Sequence, residues 1–576
     1  MPFDPIPSSS LSTFTVKVGG AALAETVGVI SIEIGREIGR VPYAHLVIQD
    51  GDPAAQTFAI SEAPDIAPGV EIEILLGYDR EESLVFSGVV TRHRIEAPLH
   101  ASSRLHVEAK HRCFRMAHAR KSRIWTEVTD ADALSDLAAL QGLAFDGESA
   151  AVRPQLVQHQ ATDWDFAVMR AEMVGQALLA TNDGLKMFTP DPGAPPSMAL
   201  EYGRTLFALD LEIDAEAQPE SVEAGAWIPA DQAVATAEAG GEDVPGPGAA
   251  DGAALATVSN QKPRPRHAGG RDQAEIDDWA RAETLRRRIA AIRGAAEIQG
   301  EARLEPGATV ELKGFGARFN GRAFVSGLRH QLANGDWRTS VQIGLDPRFH
   351  RERFDIDAPA AAGLAPAITG LQIGIVDALE GDPAGEERVA VRIATETETA
   401  EPIWARPLSI GGGASRGFVM LPEIGDECLL GFLDGDPRDP ILLGGVHSAA
   451  AASPYPGADD NNLKGAASRA GVKITFDDDS AALVAETPNG NRVTLSDADG
   501  GITLEDEAGN SITTGADGVS VESPKDIKLS ATGDVTIEGL NVTLKAQVEA
   551  AVQGSAGAKV DSSGQTVVKG SIVMIN

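Results

Sequence analysis

Cysteine is nearly absent: Cys113 and Cys428 are the only two in 576 residues, too far apart in sequence to form a metal-binding or redox motif. Stability must therefore come from packing rather than disulfide staples, which fits synthesis in a reducing cytoplasm. Basic charge is also in deficit. The 49 Lys and Arg stand against 84 Asp and Glu, a formal net charge of −35, which argues against a phosphate-binding surface and so against a nucleic-acid partner. No apolar run reaches the length of about 18 residues that a membrane helix needs, and Met1 to Thr15 lacks the basic segment and apolar stretch of a secretory signal. If the protein leaves the cell, something other than a signal peptide carries it. Histidine stops at His447, so the remaining residues offer no imidazole to zinc or iron, and no metal or cofactor is expected.

What the chain does have is repetition. From Gly471 to Asn576, short alternating runs recur every seven to ten residues: Val493-Thr494-Leu495, Ile502-Thr503-Leu504, Ile512-Thr513-Thr514, Val519-Ser520-Val521, Ile527-Lys528-Leu529, Val535-Thr536-Ile537 and Val542-Thr543-Leu544. Turns rich in Gly, Asp, Ser and Asn separate them. Each strand offers only about two apolar residues on one face, too few for one chain to enclose a core, yet the β-branched content is too high for a disordered tail. Several copies wound together solve the problem, and such a chain is expected to be a subunit of a needle or fibre. The last stretch, Ser571 to Asn576, is more apolar than the coils before it. Copies wound together would end in a blunt apolar platform at Ile572, Val573, Met574, Ile575 and Asn576 that calls for a cover.

Upstream, residues 11 to 128 read as antiparallel strands: Phe14 to Val18, Val29 to Ile34, Ala44 to Ile48, Val70 to Leu76, Leu84 to Val90 and Leu105 to Ala109. Capping pairs Thr129 with Asp132, and Thr162 with Asp165, predict short helices ending near Gly142 and Gly175. Residues 229–270, rich in Ala, Gly, Pro and acids, read as a flexible loop. The pair Asp272 and Glu275 then starts a helix with Ile276, Trp279, Leu285, Ile289 and Ile292 on its apolar side. A faint internal repeat brackets the loop: Pro68 to Ile74 leading to Phe86 to Val90, and Pro306 to Leu312 leading to Phe319 to Ala323, with Gly88 matched to Gly321. Two related β-barrels would explain it. After a Pro and Ala linker, strands near Leu371 to Val376, Val389 to Ile393, Gly417 to Leu421, Glu427 to Phe432 and Ile441 to Gly445 suffice for a five-stranded barrel of OB type. The expected class is mainly β, with domains at 1–360, 361–450 and 471–576 and a linker at 451–470.

Three motifs invite chemistry and are better explained without it. Gly413-Ala414-Ser415-Arg416-Gly417, with Asp434 or Asp439 and then His447, follows the order of a serine esterase. A nucleophile elbow needs a helix after its Ser, whereas Phe418 to Pro422 reads as a strand ended by proline. The acids at Asp477 to Asp479 and Asp497 to Asp499 suit turns better than calcium loops. The basic island of Lys262 to Arg266 and Arg286 to Arg288 lacks aromatic partners for bases and reads as a solvated loop and helix face.

The run Arg416 to Phe432, followed by Gly435-Asp436-Pro437-Arg438-Asp439-Pro440 and Ile441 to Gly444, closely resembles the OB domain of VgrG-like and contractile-phage baseplate spikes. Tyr43 to Gly51, Phe86 to Val90 and Thr162 to Phe166 resemble the hub, or tube-initiator, domain of the same proteins. That resemblance implies a structural, non-enzymatic homotrimer whose tandem barrels match a hexameric inner tube and baseplate. It also implies a PAAR-type tip protein docked at the C-terminus and a target membrane pierced mechanically. No lysozyme insertion or appended effector domain is evident, and the compact length favours an extracellular tail-like particle over type VI secretion. The alternatives are an esterase using Ser415 and His447, or a trimeric receptor-binding fibre.

Overall fold

The computed structural model describes residues 11–240, 244–248, 252–396 and 401–575 and divides into two units, the first up to Ala367 and the second from Ile368. All six strands expected between residues 11 and 128 form. Alternation with β-branched residues sets their faces, so Val16, Ile32, Ile34, Leu46, Ile72, Ile74 and Leu105 pack into one core while polar neighbours face outward.

The internal repeat becomes a repeat of topology. Strands Val29–Glu37, Tyr43–Gln49, Glu71–Tyr78, Glu81–Glu96 and Arg104–Lys110 lie side by side in the spatial order third, fourth, fifth, second, first. Strands Leu206–Ile213, Ile292–Gln299, Thr309–Lys313, Gly321–Ala333 and Asp336–Ile343 repeat that order around a second core. The two barrel-like halves join edge to edge, Val29–Glu37 pairing with Gly321–Ala333, within one thirteen-stranded sheet. Hydrogen bonds fix the equivalence. Gly69 N donates to the Val90 carbonyl at 2.8 Å and Val90 N to the Val70 carbonyl at 2.9 Å; Gly307, Val325 and Ala308 repeat this at 2.7 and 2.9 Å. The true counterpart of Gly88 is therefore Ala323, two residues beyond the Gly321 that sequence matching selected. Phe319 lies in a short helix, Gly316–Phe319, before that strand begins.

Both capping pairs work as expected. Thr129 and Asp132 close a reciprocal capping box on the helix Asp130–Ala139, and Thr162 Oγ1 accepts from Asp165 N at 3.0 Å on the helix Asp163–Met173. A buried ionic network ties these helices to their neighbours. Arg153, 2% exposed, donates Nε to Asp130 at 3.0 Å and a terminal nitrogen to Asp278 at 2.6 Å, while Arg170 also grips Asp130. Asp163 is buried, and although desolvation pushes its carboxyl up, Gln158, Lys121 and Arg123 together hold it below the usual range.

Residues 229–270 are not a bare loop. Ala233–Gly240 is a strand paired with Ser221–Ile228, Gly252–Ser259 is helical, and Arg266–His267 adds a short parallel strand. Sequence reading missed them because the alternating side chains are mostly alanines, small enough to pack closely under the helix Gln273–Ile289. Positions 241–243 and 249–251 of that stretch lie outside the described residues. The helix starts on Asp272 as expected, but Ile292 opens the next strand instead of extending its apolar side. The loop part of the basic island is solvated as expected, with Arg264 and Arg266 exposed, but its helix part is not. Arg286 is largely buried, pairs with Glu172 at 2.8 Å and donates to the Asp346 and Arg348 carbonyls, and Arg288 is buried against the Gly252 carbonyl. Lys262 pairs with Glu238 at 2.8 Å.

In the second unit, five strands close a barrel in the order Gln372–Ala378, Val389–Ile393, Ile403–Pro407, Pro440–Gly445 and Glu427–Phe432. The third of these replaces the expected Gly417 to Leu421. Prolines at 402 and 407 hid the real strand, whereas Arg416–Phe418 belongs to a separate hairpin with Ile410–Gly413.

Candidate assembly site in the C-terminal sheet

A seven-stranded antiparallel meander follows the barrel, running from Leu463–Ala467 to Gly518–Glu522. Its first strand lies within the stretch expected to be linker. Tight Gly- and Asp-rich turns hold each strand to about five residues, so register carries from strand to strand without a break. The register assembles two apolar ladders. One runs Ile474, Ala485, Val493, Leu504, Ile512, Val521, and the other Phe476, Leu483, Leu495, Ile502, Thr514, Val519. Because side chains alternate, both ladders share one face, and the opposite face carries Lys473, Thr475, Glu486, Arg492, Thr494, Thr503 and Thr513. No part of the chain among the described residues covers the apolar face. Ile474 is 49% exposed, Phe476 52%, Leu504 42% and Val521 52%, around a groove of about 690 Å³ lined by the first ladder and Ile527.

Past Ser523 the described chain forms no strand, so Ile527 to Leu529, Val535 to Ile537 and Val542 to Leu544 are not the strands expected. Their two-apolar-residue alternation is present, but nothing lies alongside to pair with, and a lone extended segment gains no ladder hydrogen bonds. At the end, Ile572, Val573, Met574 and Ile575 are exposed, 50% at Val573 and 91% at Ile575, while Asn576 lies outside the described residues.

The acid clusters serve turns. Asp477 accepts from Asp479 N at 3.0 Å and from Ser480 Oγ at 2.8 Å, and Asp499 N donates to Ser496 Oγ at 3.0 Å. Ser415 sits at φ 55° in the turn of the exposed hairpin, with a strand on each side and no helix after it. His447 points Nδ1 at the Ala451 carbonyl instead. Their geometry is that of a loop, not of a nucleophile elbow. No helix among the described residues is long and apolar enough to cross a membrane.

A closed five-stranded barrel thus leads into a meander whose apolar face is uncovered among the described residues. Comparison with known proteins places these parts in families. Residues 372–447 match the type VI secretion system and phage-baseplate injector OB domain, and residues 482–576 match the phage baseplate V C-terminal trimerisation domain. Residues 8–334, more than half of the chain, match the Alg8 N-terminal domain. The chain belongs to the Alg8 N-terminal-domain family and is a VgrG-like spike protein of the type VI and phage-baseplate kind.

Among curated relatives, the type VI secretion system spike protein VgrG1b of Pseudomonas aeruginosa is 26% identical over 215 residues, 34% of this chain and 28% of that protein. The actin cross-linking toxin VgrG1 of Vibrio cholerae is 38% identical over 52 residues, 9% of this chain and 5% of that one. The alignments thus span less than a third of these relatives' lengths. Among solved structures, the Escherichia coli type VI component c3393 aligns at a TM-score of 0.40 and 14% identity, over 75% of this chain and 99% of that one. A Neisseria meningitidis tail protein aligns at 0.45 and 15% identity, over 58% and 97%.

Proposed function

We propose that three copies of this chain wind together as the central spike of a contractile injection system. In this reading the protein is assembled in the cytoplasm into a tail-like particle. The N-terminal unit joins the hexameric inner tube and baseplate, and the C-terminal strands form a β-helical needle that pierces a target membrane when the machine contracts. The work is mechanical. Backbone hydrogen bonds laddered between chains and a narrow apolar interior would resist bending and compression, and no bond is made or broken.

The observation that carries this reading is the pair of ladders on one uncovered face. Three such faces turned inward would bury both ladders, and the segments after Ser523 that form no strand within one chain would pair between chains. The test is the mass of the purified full chain by light scattering at micromolar concentration. Three chain masses are expected, with a C-terminal part that resists heat and detergent; a monomer contradicts the reading.

At the tip, Ile572, Val573, Met574, Ile575 and Asn576 from three copies would offer an apolar seat for a PAAR-type cap, which would bring the metal ligands this segment lacks. Val573→Asp and Ile575→Asp should abolish co-purification of that cap while the trimer persists, because a desolvated carboxylate at an apolar contact is costly. Unchanged cap affinity in both variants would place the docking site elsewhere.

A further inference from the structure

The barrel carries an arm whose apolar side chains are left exposed. Between Ile403–Pro407 and Glu427–Phe432 the chain leaves the barrel as the hairpin Ile410–Gly413 and Arg416–Phe418, then returns along Val419 to Ile424. Leu408 N on the Leu442 carbonyl, at 2.9 Å, anchors one end, and Gly425 N on the Val376 carbonyl, at 2.9 Å, anchors the other. Everything between projects. Ile410 is 80% exposed, Phe418 55%, Val419 74%, Met420 53% and Ile424 65%. So contiguous an apolar strip on a soluble surface signals an interface.

The same barrel holds a complementary hollow. On Glu427–Phe432, Leu430 points inward and is fully buried, so Gly431 faces outward and has no side chain to fill its place. Leu371 and Leu443 flank that gap, since a Cβ built on Gly431 would meet their methyl groups at 3.6 and 3.7 Å. Both leucines are exposed, as is Leu433 beyond them. Arm and hollow are each open in a single copy, so they do not satisfy one another within one chain.

We propose that the arm of one copy packs across the barrel of the next, seating the side chains of Phe418 to Met420 in the hollow over Gly431. This rests on the trimer reading and deepens it by naming the contact. Two features select a second copy as the occupant. The arm's return leg is tied to the start of the meander by Glu423, which accepts from Arg469 at 2.6 Å. Arg469 lies three residues before Val472, which with Ile474 and Phe476 begins the exposed face that leads into the trimerisation domain. Furthermore, arm and hollow are different surfaces of one chain, so the contact is head to tail, and a head-to-tail contact closes into a ring when its rotation is one third of a turn. The barrels would then be locked by the same threefold symmetry as the needle.

The test co-expresses two full-length variants, Met420→Cys and Leu443→Cys, and treats the assembled protein with a short bismaleimide. Both native cysteines are buried, so the introduced thiols are the ones that react. The expected product is a linked pair containing one chain of each variant, with neither variant linking to itself. An intact trimer without that pair overturns the proposal, as does Met420→Cys linking to its own kind, which would place arm against arm. A wild-type chain that is monomeric by light scattering defeats the trimer reading itself, a separate result. A second variant, Gly431→Arg, fills the hollow at a position with nothing nearer than 3.6 Å. It should raise the concentration at which the trimer dissociates at least about tenfold, which for a three-chain equilibrium is about a hundredfold in the dissociation constant, roughly 2.7 kcal/mol per trimer, and an unchanged midpoint overturns the proposal.

Discussion

The N-terminal sheet and the C-terminal meander are written in the same alternating code, yet only one finds its own cover. In Tyr43–Gln49, every second residue, Ala44, Leu46 and Ile48, is buried by strands of the same chain. In Lys473–Asp477, the equivalent Ile474 and Phe476 are half exposed. Alternation decides which face will be buried; topology decides what buries it. The N-terminal unit has long strands that curl, helices whose caps fix their direction, and a buried arginine network joining them. The meander has strands of about five residues joined by tight turns, so it stays an open sheet with nothing to fold over itself.

The largest expected effect separates the two faces of the meander. Leu504→Asp with Ile512→Asp, set in the middle of one ladder, should abolish trimerisation in light scattering, since three copies would place six carboxylates in a narrow apolar interior. Thr503→Asp with Thr513→Asp, on the same strands but the opposite face, should leave the trimer intact. Equal loss in both would mean that the ladders are not the contact.

The converse experiment breaks the N-terminal unit alone. Arg153→Ala strands Asp130 and Asp278 as buried carboxylates without that partner, and about 3–5 kcal/mol of that unit's unfolding free energy should be lost. Urea melts followed by tryptophan fluorescence measure this, since five of the six tryptophans lie in that unit, the sixth being Trp404 in the barrel. Trimer mass under native conditions should not change.

A smaller effect comes from pH. His330 is buried beside Arg36, and desolvation first, the guanidinium second, push its imidazole down to about 3 from the ordinary 6.5. The unfolded chain takes up this proton near pH 6.5 while the native protein refuses it until about 3. Stability is therefore complete above that window and is lost as pH falls through it, by up to about 1.4 kcal/mol per pH unit. His111, pushed down to about 4 chiefly by burial, adds in the same direction. His330→Gln should flatten the stability profile between pH 6 and about 4; an unchanged slope would mean that His330 charges in the native state.

How much of this was legible in the sequence depended on side-chain size. Val, Ile and Leu alternation announced the N-terminal strands, and Thr129 and Thr162 announced two helices by their caps. The Ala233–Gly240 strand stayed hidden because alanine carries little apolar signal. Arg286 and Arg288 read as solvated because charge in a helix suggests exposure, and only the fold brings Glu172 to one of them and the Gly252 carbonyl to the other. Gly417 to Leu421 read as a barrel strand for the opposite reason: an apolar run suggests burial, whereas Phe418 to Leu421 are exposed. The ladders themselves were half legible. Spacing gave the strands up to Val521, while the face they share emerged only from the register.

The central claim is that the C-terminal residues find their partners in other copies, and amide hydrogen exchange tests it where a single chain offers no pairing at all. In the native protein, Ile527 to Leu529, Val535 to Ile537 and Val542 to Leu544 should exchange slowly, with protection comparable to that of Arg492–Ser496 in the meander. Exchange of those three segments at the rate of an unprotected chain, while the meander stays protected, would contradict it.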